Sequence, residues 1–477
     1  AEKIAKHLNT KHSTLKASPQ DAIDLIQKMP TVYSEPFADS SQIPTTLLCN
    51  LVRKHVKVAL TGDGGDELFS GYTRYLFAQK SFRFINNYPQ KLRDYFTQII
   101  KMTSPSIMNN FGKAIRVKRL GDKLHKASEI ISLNNFQDFY ETLTTYWPDK
   151  TIISNSNSEI YNFNDNLDNI ENMMLADQLN YLPNDILVKG DRASMSVGLE
   201  TRTPFLDHKI TEFAWSLPRS FRIEKNIGKR ILREILYKHV PKKLVDRPKQ
   251  GFGMPVNNWL RGPLREWTED LISIKNLPND GLLNGNLIRK TWSEHLSGSR
   301  NWEYKLWPVL MWQQWQMNLK IGIQCMCGIA GFISNEKENN INLKNLGMSF
   351  CETLKHRGPD DKGIWIDENK KTLLAHTRLS ILDLDPRSKQ PMTDYYNNLI
   401  LVFNGEIYNW RLLKIKLQKN GYKFSTESDT EVLLKGFHFW KENIMHMLEG
   451  MFSFGIYNFK TKELFCARDR IGKKPFV

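Results

Sequence analysis

The segment from Thr61 to Glu67 sets three carboxylates among three glycines, reading TGDGGDE. Glycine reaches backbone angles closed to other residues, which lets peptide N–H groups turn towards an anion. The carboxylates of Asp63, Asp66 and Glu67 would repel a phosphate unless a cation lay between them. The pattern therefore predicts a site where Mg²⁺ bridges carboxylates to the phosphates of a nucleotide. An ordinary acidic turn is the competing interpretation.

A second group of charged residues lies in the stretch from Val188 to Met195. Lys189, Asp191 and Arg192 stand there among apolar residues. Charged side chains in such surroundings need partners or a task, because burying an unpaired charge is costly. Lys189 could neutralise phosphate charge that develops in a transition state. An exposed helix lysine is the alternative, and the sequence alone leaves both open.

A third feature is the tripeptide Met326-Cys327-Gly328, which resembles the start of a protein but lies two-thirds of the way along the chain. Apolar, strand-like residues follow it. The composition changes at this point, from a first half that is mostly helical in pattern to a second half that is rich in strands.

The elements of the first half must place the acidic loop. The apolar run from Val56 to Leu60 predicts a strand that ends in the loop, as at the carboxyl edge of a parallel sheet. Residues 73 to about 320 read as helices without convincing strand alternation. The tryptophans near its end predict core helix packing rather than an aromatic platform, because apolar residues fill the gaps between them.

The second half reads as a mixed α/β layer structure. Strands are predicted at Cys327–Ser334, Leu373–Ile381, Leu399–Phe403 and Phe452–Tyr457. The returning strand of a hairpin is predicted at Leu464–Ala467. Helical periodicity covers Ile341–Lys355 and Thr430–Phe439. The hairpin turn is predicted at residues 459–462.

Composition excludes several classes of protein. With 477 residues and 40% hydrophobic residues the chain can bury a core of two or three domains, and no apolar run is long enough to cross a bilayer. The five cysteines are sparse, which fits a reducing, cytoplasmic setting. The net charge of +16 raises the question of whether the chain binds nucleic acid. In the basic stretch Lys91–Lys126, however, Leu92, Tyr95, Phe96, Ile99 and Ile100 recur at helical intervals, which predicts amphipathic helices with solvated basic faces.

Taken together, the longer motifs resemble the glutamine-hydrolysing asparagine synthetase family. The synthetase part of that family resembles GDGGDELFSGY, LVKGDRASMSVGLETRTPFLDH and RPKQGFGMPVNNW. Its class II glutamine amidotransferase part resembles CGIAGF, LKHRGPDDKGIW, TRLSILDL, FNGEIYN and SDTEVLL. The two blocks cover nearly the whole chain.

The resemblance implies a two-domain α/β fold. Residues 326–477 would form a partial N-terminal-nucleophile αββα sandwich. Residues 1–324 would form a partial adenine-nucleotide α-hydrolase-like domain, of the PP-loop ATPase type, with a mostly helical C-terminal part. The implied partners are the small molecules glutamine, aspartate and ATP with Mg²⁺, with no nucleic acid and no membrane. A homodimer is left open.

The resemblance also implies a reaction and the residues that perform it. Glutamine is hydrolysed at one site, and the ammonia attacks a β-aspartyl-AMP made from aspartate and ATP. In the glutaminase part, Cys327 matches the nucleophile, Asn404 and Gly405 the oxyanion hole, Arg378 the clamp on the α-carboxylate, and Glu406 and Asp429 the acceptors for the α-ammonium. In the synthetase part, Thr61 and Gly62 match the ATP contacts, Asp63 the acidic position of adenylate formation, Asp66 the magnesium ligand and Lys189 the stabiliser of the intermediate.

The sequence departs from the family pattern in three ways. The family's cysteine is the first residue of the mature protein and its α-amine is the base, whereas Cys327 is joined to Met326 by a peptide bond. The glutaminase block stands second instead of first. The Ser-Gly-Gly-x-Asp-Ser pyrophosphate loop does not occur in the sequence. We therefore expect an incomplete chain, with its order permuted and its middle missing, that makes no asparagine while uncut, from glutamine or from ammonia.

Two other functions remain open at this stage. The same two domains could amidate another carboxylate, such as that of a sugar acid or a peptide. Alternatively, the chain could be a non-catalytic remnant that serves in binding or assembly. The absent pyrophosphate loop favours the remnant, and the intact Cys327, Arg378, Asn404 and Asp429 argue against it.

Overall fold

The computed structural model describes most of the chain, with several gaps. The described residues are 1–14, 18–33, 35–114, 120–147, 152, 162–224, 227–246, 254–277, 282–319, 328–334, 342–369, 371–379 and 386–476. Cys327 and Met326 lie outside them. Residues 1–324 are called the first half of the chain, and residues 326–477 are called the second half.

Eleven strands occur in the described residues. They are β1 (Val58–Leu60), β2 (Glu200–Arg202), β3 (Ile223–Glu224), β4 (Ile227–Gly228), β5 (Ile329–Ile333), β6 (Asp361–Ile366), β7 (Thr372–Arg378), β8 (Met392–Asp394), β9 (Leu399–Ile407), β10 (Gly450–Asn458) and β11 (Glu463–Arg468).

The α-helices outnumber the strands in the same residues. They are α1 (Glu2–His7), α2 (Pro19–Ile26), α3 (Met29–Tyr33), α4 (Gln42–Arg53), α5 (Gly65–Leu68), α6 (Thr73–Asn86), α7 (Gln90–Met102), α8 (Pro105–Ala114), α9 (Leu120–Ile131), α10 (Phe136–Thr144), α11 (Asn169–Ala176), α12 (Leu187–Met195), α13 (His208–Ser216), α14 (Arg219–Arg222), α15 (Arg230–Tyr237), α16 (Lys242–Val245), α17 (Val256–Arg261), α18 (Arg265–Leu271), α19 (Gly285–Leu296), α20 (Glu303–Leu319), α21 (Leu343–Leu354), α22 (Trp410–Lys419) and α23 (Asp429–Trp440).

The first half is mainly helical around a two-stranded parallel sheet. Strand β1 pairs with β2 in parallel, with Leu60 opposite Arg202. The sequence analysis predicted β1 but found no convincing strand between residues 73 and about 320, where the structure has β2, β3 and β4. Strand β2 is only three residues long and gains its partner from far along the chain. The core of this half includes Leu306, Val309 and Leu310 of α20, as the helix-packing prediction expected.

One long helical segment carries several charged residues of the first half. Helices α11 and α12 are joined without a break by a π-helical stretch, Asp177–Ile186, which contains Pro183. Asp168 caps the start of α11 in a reciprocal arrangement with Glu171. A widened turn of this kind is rare and is often found at functional sites. It lies immediately before Lys189 and Asp191.

The second half has two antiparallel sheets between helices. One sheet has the order β11-β10-β9-β8 and the other has the order β5-β7-β6. Apolar residues on one face of β9 and β10 pack against α22 and α23, whereas Ile400 and Val402 on the opposite face of β9 pack against Ile329 and Leu374 of the other sheet. Helix α21 covers the outer face of the three-stranded sheet, where Gly347 lies close to Ile364. Where they fall on described residues, the predicted strands and helices are confirmed within a few residues, and β6 and β8 were missed. The predicted ends at Cys327, Ile341 and Ile381 lie outside the described residues.

The two halves are tied together by ion pairs and by apolar packing. Two of these pairs are buried: Arg357 binds Asp191, and Lys474 binds Glu200 with a distance of 2.9 Å. Ile471, near the end of the chain, packs against the first-half core beneath the acidic loop. The sites of the two halves therefore share one interface.

One prediction about the basic helices holds only in part. The period of α7 was right, and its Lys91 and Lys101 are solvated as expected. However, α7 buries Arg93 and Thr97, and it exposes the apolar Leu92, Tyr95 and Phe96. Among the described residues, no helix has both the length and the apolar character that crossing a bilayer would require.

Candidate active sites

The largest group of predicted site residues lines a single cavity at the boundary of the two halves, here called the large cavity. It gathers most of the residues predicted for one reaction, along with two residues of the first half. Its lining includes Gly328, Arg378, Asn404, Gly405, Glu406 and Asp429 together with Met195 and Glu200. Cys327 lies outside the described residues, but it is bonded to Gly328, which lines the cavity.

Asn404 and Gly405 occupy the middle of strand β9. Asn404 lies opposite Ser453 on β10, and Gly405 lies opposite Phe452. Gly405 has a φ of +147°, and an added Cβ would come within 2.1 Å of the Met451 carbonyl oxygen, so no other residue fits there. The Asn404 Nδ2 is buried and has no hydrogen-bond partner in the described part of the chain. A buried amide donor without a partner is costly unless a ligand completes it.

Two carboxylates give this cavity its negative side. Asp429, at the start of α23, accepts a hydrogen bond of 3.0 Å from the Ile407 N–H. Burial raises the pKa of Asp429 to about 6, and the hydrogen bond from Ile407 opposes the shift while the Glu406 charge adds to it. Burial also raises the pKa of Glu406, and Arg202 opposes that shift. Adjacent carboxylates of this kind suit an ammonium group.

Arg202 is a residue that the sequence analysis did not assign. Its guanidinium forms an ion pair with Glu406 in the large cavity. Its backbone carbonyl accepts a hydrogen bond of 2.8 Å from the Thr61 N–H at the start of the acidic loop. Only the short parallel pairing of β1 with β2 creates this link, so local sequence patterns carried no signal for it.

Arg378 stands at the end of β7, opposite Asp361. Arg378 lines the same cavity as the two carboxylates. The cavity thus offers cationic, anionic and amide-donor groups together. That combination can orient an amino acid by its carboxylate and its ammonium while an amide nitrogen binds a third, developing negative charge.

The acidic loop keeps its carboxylates apart. Thr61 Oγ1 donates a hydrogen bond of 2.8 Å to Asp63, and Tyr72 donates one of 2.5 Å to Glu67. Glu67 is almost fully buried, which raises its pKa. Gly64 has a φ of +88°, a left-handed angle that the turn requires. Glu67 therefore serves the structure of the loop, because its carboxylate is buried and tied to Tyr72.

Asp66 has a partner that the sequence analysis missed. Lys229, which precedes α15, places its Nζ 3.0 Å from Asp66 Oδ1. Both side chains are partly exposed, at 30% and 27%. The two residues are far apart along the chain, and Lys229 approaches because the β3–β4 hairpin packs against Ser70 and Gly71. A cation thus already lies beside the carboxylate that was predicted to bind a metal.

The described residues fit only one kind of magnesium site. They contain no group of three or more His, Cys, Asp or Glu side chains that could hold a metal. Mg²⁺ at nucleotide sites commonly takes one or two carboxylates and completes its shell with phosphates and water. Asp66 offers such a carboxylate, so these residues fit a magnesium ion that arrives with a nucleotide.

Lys189 does not lie beside the acidic loop's carboxylates but in its own cluster. Its Nζ lies 2.5 Å from Asp39 and 3.6 Å from Asp185. Burial raises the pKa of Asp185 to about 7, and the nearby Asp39 charge adds to this shift. Burial opposes ionisation of Asp39 too, but Lys189 outweighs it and holds the pKa of Asp39 below its usual value. The charge of Lys189 is therefore already compensated in this structure.

A smaller cavity, here called the loop cavity, lies between the acidic loop and the end of the chain. Its lining includes Asp63, Asp191, Thr201 and Lys474. Glu200, next to Thr201, lines the large cavity. Strand β2 thus borders both cavities.

Comparison with known families divides the chain in the same place. Residues 1–317 match the family described as asparagine synthase. Residues 326–477 match the family described as a glutamine amidotransferase domain.

Individual relatives match the first or the second part. A putative asparagine synthetase (glutamine-hydrolyzing) of Mycobacterium bovis is 29% identical over 322 residues, which cover 65% of this chain and 47% of the relative. Asparagine synthetase (glutamine-hydrolyzing) 1 of Bacillus subtilis is 25% identical over 323 residues, covering 66% and 49%. Asparagine synthetase (glutamine-hydrolyzing) 3 of Bacillus subtilis is 37% identical over 153 residues, covering 32% and 24%. The chain spans about half, or less, of the length of these curated relatives.

Proposed function

We propose, from the premise that this chain belongs to the asparagine synthase family, that it supplies two sites of a cytoplasmic ligase. That enzyme would make asparagine from aspartate, glutamine and ATP, releasing glutamate, AMP and pyrophosphate. The observation that carries the proposal is the position of strand β2. Its Glu200 borders the large cavity and its Thr201 borders the loop cavity. Ammonia released in the large cavity would therefore have to pass strand β2 to reach the loop cavity.

The large cavity is proposed as the glutamine site. Arg378 would hold the α-carboxylate of glutamine, and Glu406 and Asp429 would hold its α-ammonium. Cys327 would attack the amide carbon while its thiol proton passes to its own α-amine. The C–N bond would then break, ammonia would leave with that proton, and water would hydrolyse the remaining γ-glutamyl thioester to glutamate. The unpartnered Nδ2 of Asn404 supports its role as an oxyanion donor, together with the backbone N–H of Gly405.

The acidic loop is proposed as the nucleotide site. Thr61 and Gly62 would contact ATP, and Asp63 would act where the adenylate forms. No atom lies near the position that a Cβ would take at Gly62, so the space there is open to a ligand. Asp66 would hold Mg²⁺, which when bound would offset the negative charge of the phosphates. Lys189 would stabilise the intermediate only after release from Asp39.

The layers of the second half support the finer fold assignment. Helix α21, two antiparallel sheets and the helices α22 and α23 follow one another as α, β, β and α. We assign this half to the N-terminal-nucleophile αββα class. The first half is assigned to the adenine-nucleotide α-hydrolase-like class because its parallel strand β1 runs directly into the acidic loop.

The proposed chemistry needs a free α-amine at Cys327. An amide nitrogen cannot accept the thiol proton, whereas an α-amine with a pKa of about 7.7–8.0 can do so near neutral pH. The active form would therefore be cut between Met326 and Cys327. In the experiments below, the cut form is protein in which a site-specific protease has cleaved directly before Cys327.

Two measurements test the proposal. The cut form is incubated with a diazo-ketone analogue of glutamine, and mass spectrometry locates the adduct, which we expect on Cys327. Calorimetry then measures ATP binding to the same protein with and without Mg²⁺, and we expect Asp66→Asn to weaken the Mg²⁺-dependent binding. A labelled cysteine other than Cys327 would overturn the glutamine site, and ATP binding that is insensitive to Asp66→Asn would overturn the nucleotide site.

A further inference from the structure

Helix α7 packs against the protein through the side that carries Arg93 and Thr97. Arg93 and Thr97 are buried, with 7% and 6% of their surfaces exposed. The Arg93 guanidinium donates hydrogen bonds to the carbonyl oxygens of Ile131 and Leu133, at 3.1 Å and 2.9 Å. These bonds fix which side of the helix faces the protein.

The opposite side of α7 is apolar and open to solvent. Leu92, Tyr95, Phe96 and Ile99 are spaced by three and four residues, so they share one face of the helix. Between 40% and 61% of the surface of each is exposed. Arg93 and Thr97, which point inward, lie on the other side of the same turns. An outward apolar face of this size is uncommon in a protein without a partner.

The neighbouring helices extend this exposed character. On α6, Phe77 and Phe84 lie seven residues apart on one face, and both are exposed. The Phe84 ring contacts the exposed Tyr88 ring just before α7, with centroids 5.4 Å apart. Met102, at the end of α7, is 85% exposed.

Basic side chains accompany the apolar ones. Lys80 and Arg83 on α6 and Lys91 and Lys101 on α7 are all exposed. Asp94 is the only acidic residue between Thr73 and Met102. We call the exposed residues of α6 and α7, with Tyr88, the basic apolar surface.

The combination of basic and apolar side chains on the basic apolar surface favours one class of partner over the others. A second copy of the chain would bring two basic surfaces against each other in a two-fold interface, which like charges oppose. A nucleic acid would pair with the lysines but would leave Leu92, Ile99 and Met102 without apolar partners. A lipid surface satisfies both sets, because its acyl boundary takes up aromatic and aliphatic side chains and its anionic headgroups attract Lys and Arg.

We propose that the basic apolar surface binds the face of a bilayer that contains anionic lipids. The helices would lie on the membrane without crossing it, with Tyr95 and Phe96 at the level of the headgroups and Lys91 and Lys101 among the phosphates. This partner was not expected from the sequence, because the period of α7 does not tell which side faces inward. The proposal does not depend on the catalytic assignments.

Flotation of the full 477-residue chain with vesicles tests the surface. Vesicles of phosphatidylcholine alone are compared with vesicles of equal parts phosphatidylcholine and phosphatidylglycerol. We expect flotation with the anionic vesicles, and we expect high salt to reduce it by screening. Lys80→Gln and Lys91→Gln should each lower the partition coefficient about fivefold. Phe96→Ser should lower it roughly tenfold or more.

A matched control lies in another exposed turn of the first half. Ile274 and Lys275 are both exposed, so Ile274→Ser and Lys275→Gln remove the same kinds of group elsewhere. These variants should float like the unchanged protein, and circular dichroism verifies that every variant is folded. Equal partition into neutral and anionic vesicles, or equal loss in the controls, would overturn the proposal. So would a dimer in sedimentation that Phe96→Ser dissociates, or binding to single-stranded RNA that replaces binding to vesicles.

Discussion

The guanidinium of Arg357 and the carboxylate of Asp191 meet across the boundary of the two halves, in two hydrogen bonds of 2.9 and 3.1 Å. Both side chains are almost fully buried. Burial alone would raise the pKa of Asp191, but Arg357, together with the charges of Lys474 and Arg192, outweighs burial and holds that pKa below its usual value. The pair joins the loop before β6 to helix α12, and so it holds the large cavity and the acidic loop in a fixed relation.

Breaking this pair from one side should destabilise the protein strongly. Arg357→Met leaves a buried carboxylate without its partner, for which we expect a loss of about 3–5 kcal/mol in the free energy of unfolding. Urea denaturation at neutral pH measures the loss. Because the folded pKa of Asp191 is depressed, the pair stabilises above the unfolded value of about 3.9 and loses this effect as pH falls through the folded value. The difference between the two proteins should therefore shrink in acid.

The exposed pair of Lys57 and Asp360 provides the control, since it also joins the halves, at 3.4 Å. Lys57→Met should cost about 0–1 kcal/mol. Equal costs for the two substitutions would show that the buried pair does not hold the halves together.

The charge of Asp429 should govern the pH dependence of glutamine binding. With a pKa of about 6, its carboxyl is ionised at neutral pH and takes up a proton as the pH falls below that value. The KM of the cut form for glutamine should then rise, because a neutral carboxyl attracts the substrate ammonium weakly. Asp429→Asn should raise KM and flatten its pH dependence between about pH 5 and 7.

The same carboxyl should oppose folding at neutral pH. Its folded pKa lies above the unfolded value, so the folded state loses stability as pH rises from the unfolded pKa through the folded one. Asp429→Asn should stabilise the chain at neutral pH by on the order of 2 kcal/mol, while it weakens glutamine binding. A variant that is less stable at neutral pH and equally active would contradict both expectations.

Asn404 should act on the chemical step and not on substrate binding. Asn404→Ala removes the unpartnered buried amide donor, and we expect kcat of the cut form to fall about 10²–10³-fold with little change in KM. Ser453, opposite Asn404 on β10, also has a buried side-chain oxygen without a partner among the described residues. Ser453→Ala should leave kcat within about twofold, as expected of a nearby change outside the chemistry. A rise in KM alone for Asn404→Ala would assign it to binding.

Asp66 and Lys229 should support nucleotide binding under different conditions, Asp66 with Mg²⁺ and Lys229 without it. Asp66→Asn should weaken Mg²⁺-dependent ATP binding about tenfold, equivalent to ~1.4 kcal/mol, and leave glutamine hydrolysis by the cut form intact. Lys229→Met should weaken binding of ATP without metal, because it removes a cation from the phosphate site. Calorimetry with and without Mg²⁺ separates the two effects. Loss of glutamine hydrolysis in either variant would indicate damage to the fold.

Sequence patterns predicted the local elements of the second half and the residues of the large cavity well. Strands β9 and β10 have long apolar runs, and FNGEIYN places Asn404, Gly405 and Glu406 in one element. The structure then brings Arg378 and Asp429 to the same cavity. The roles of these residues stay predictions.

Relations between distant segments could not be predicted in the same way. The contacts of Arg202 with Glu406 and of Lys229 with Asp66 depend on pairings that join residues far apart along the chain. Helical periodicity found the two sides of α7 but not which one is buried, because Arg93 gains its partners from the last residue of α9 and the loop after it. For Lys189 the residues alone left a phosphate role and an exposed helix lysine open, and the resemblance implied that it stabilises the intermediate. Its tie to Asp39 and Asp185 depends on a fold that no local pattern encodes.

The most direct test of the account compares glutamine hydrolysis before and after cleavage between Met326 and Cys327. Glutamate release is measured for the uncut chain, the cut form and the cut form carrying Cys327→Ala, each at the same protein concentration. The account predicts that cleavage raises the rate by about 10²–10⁴-fold, the usual contribution of a general base, and that Cys327→Ala abolishes it. Equal rates for the cut and uncut chains, or hydrolysis that persists without Cys327, would contradict it.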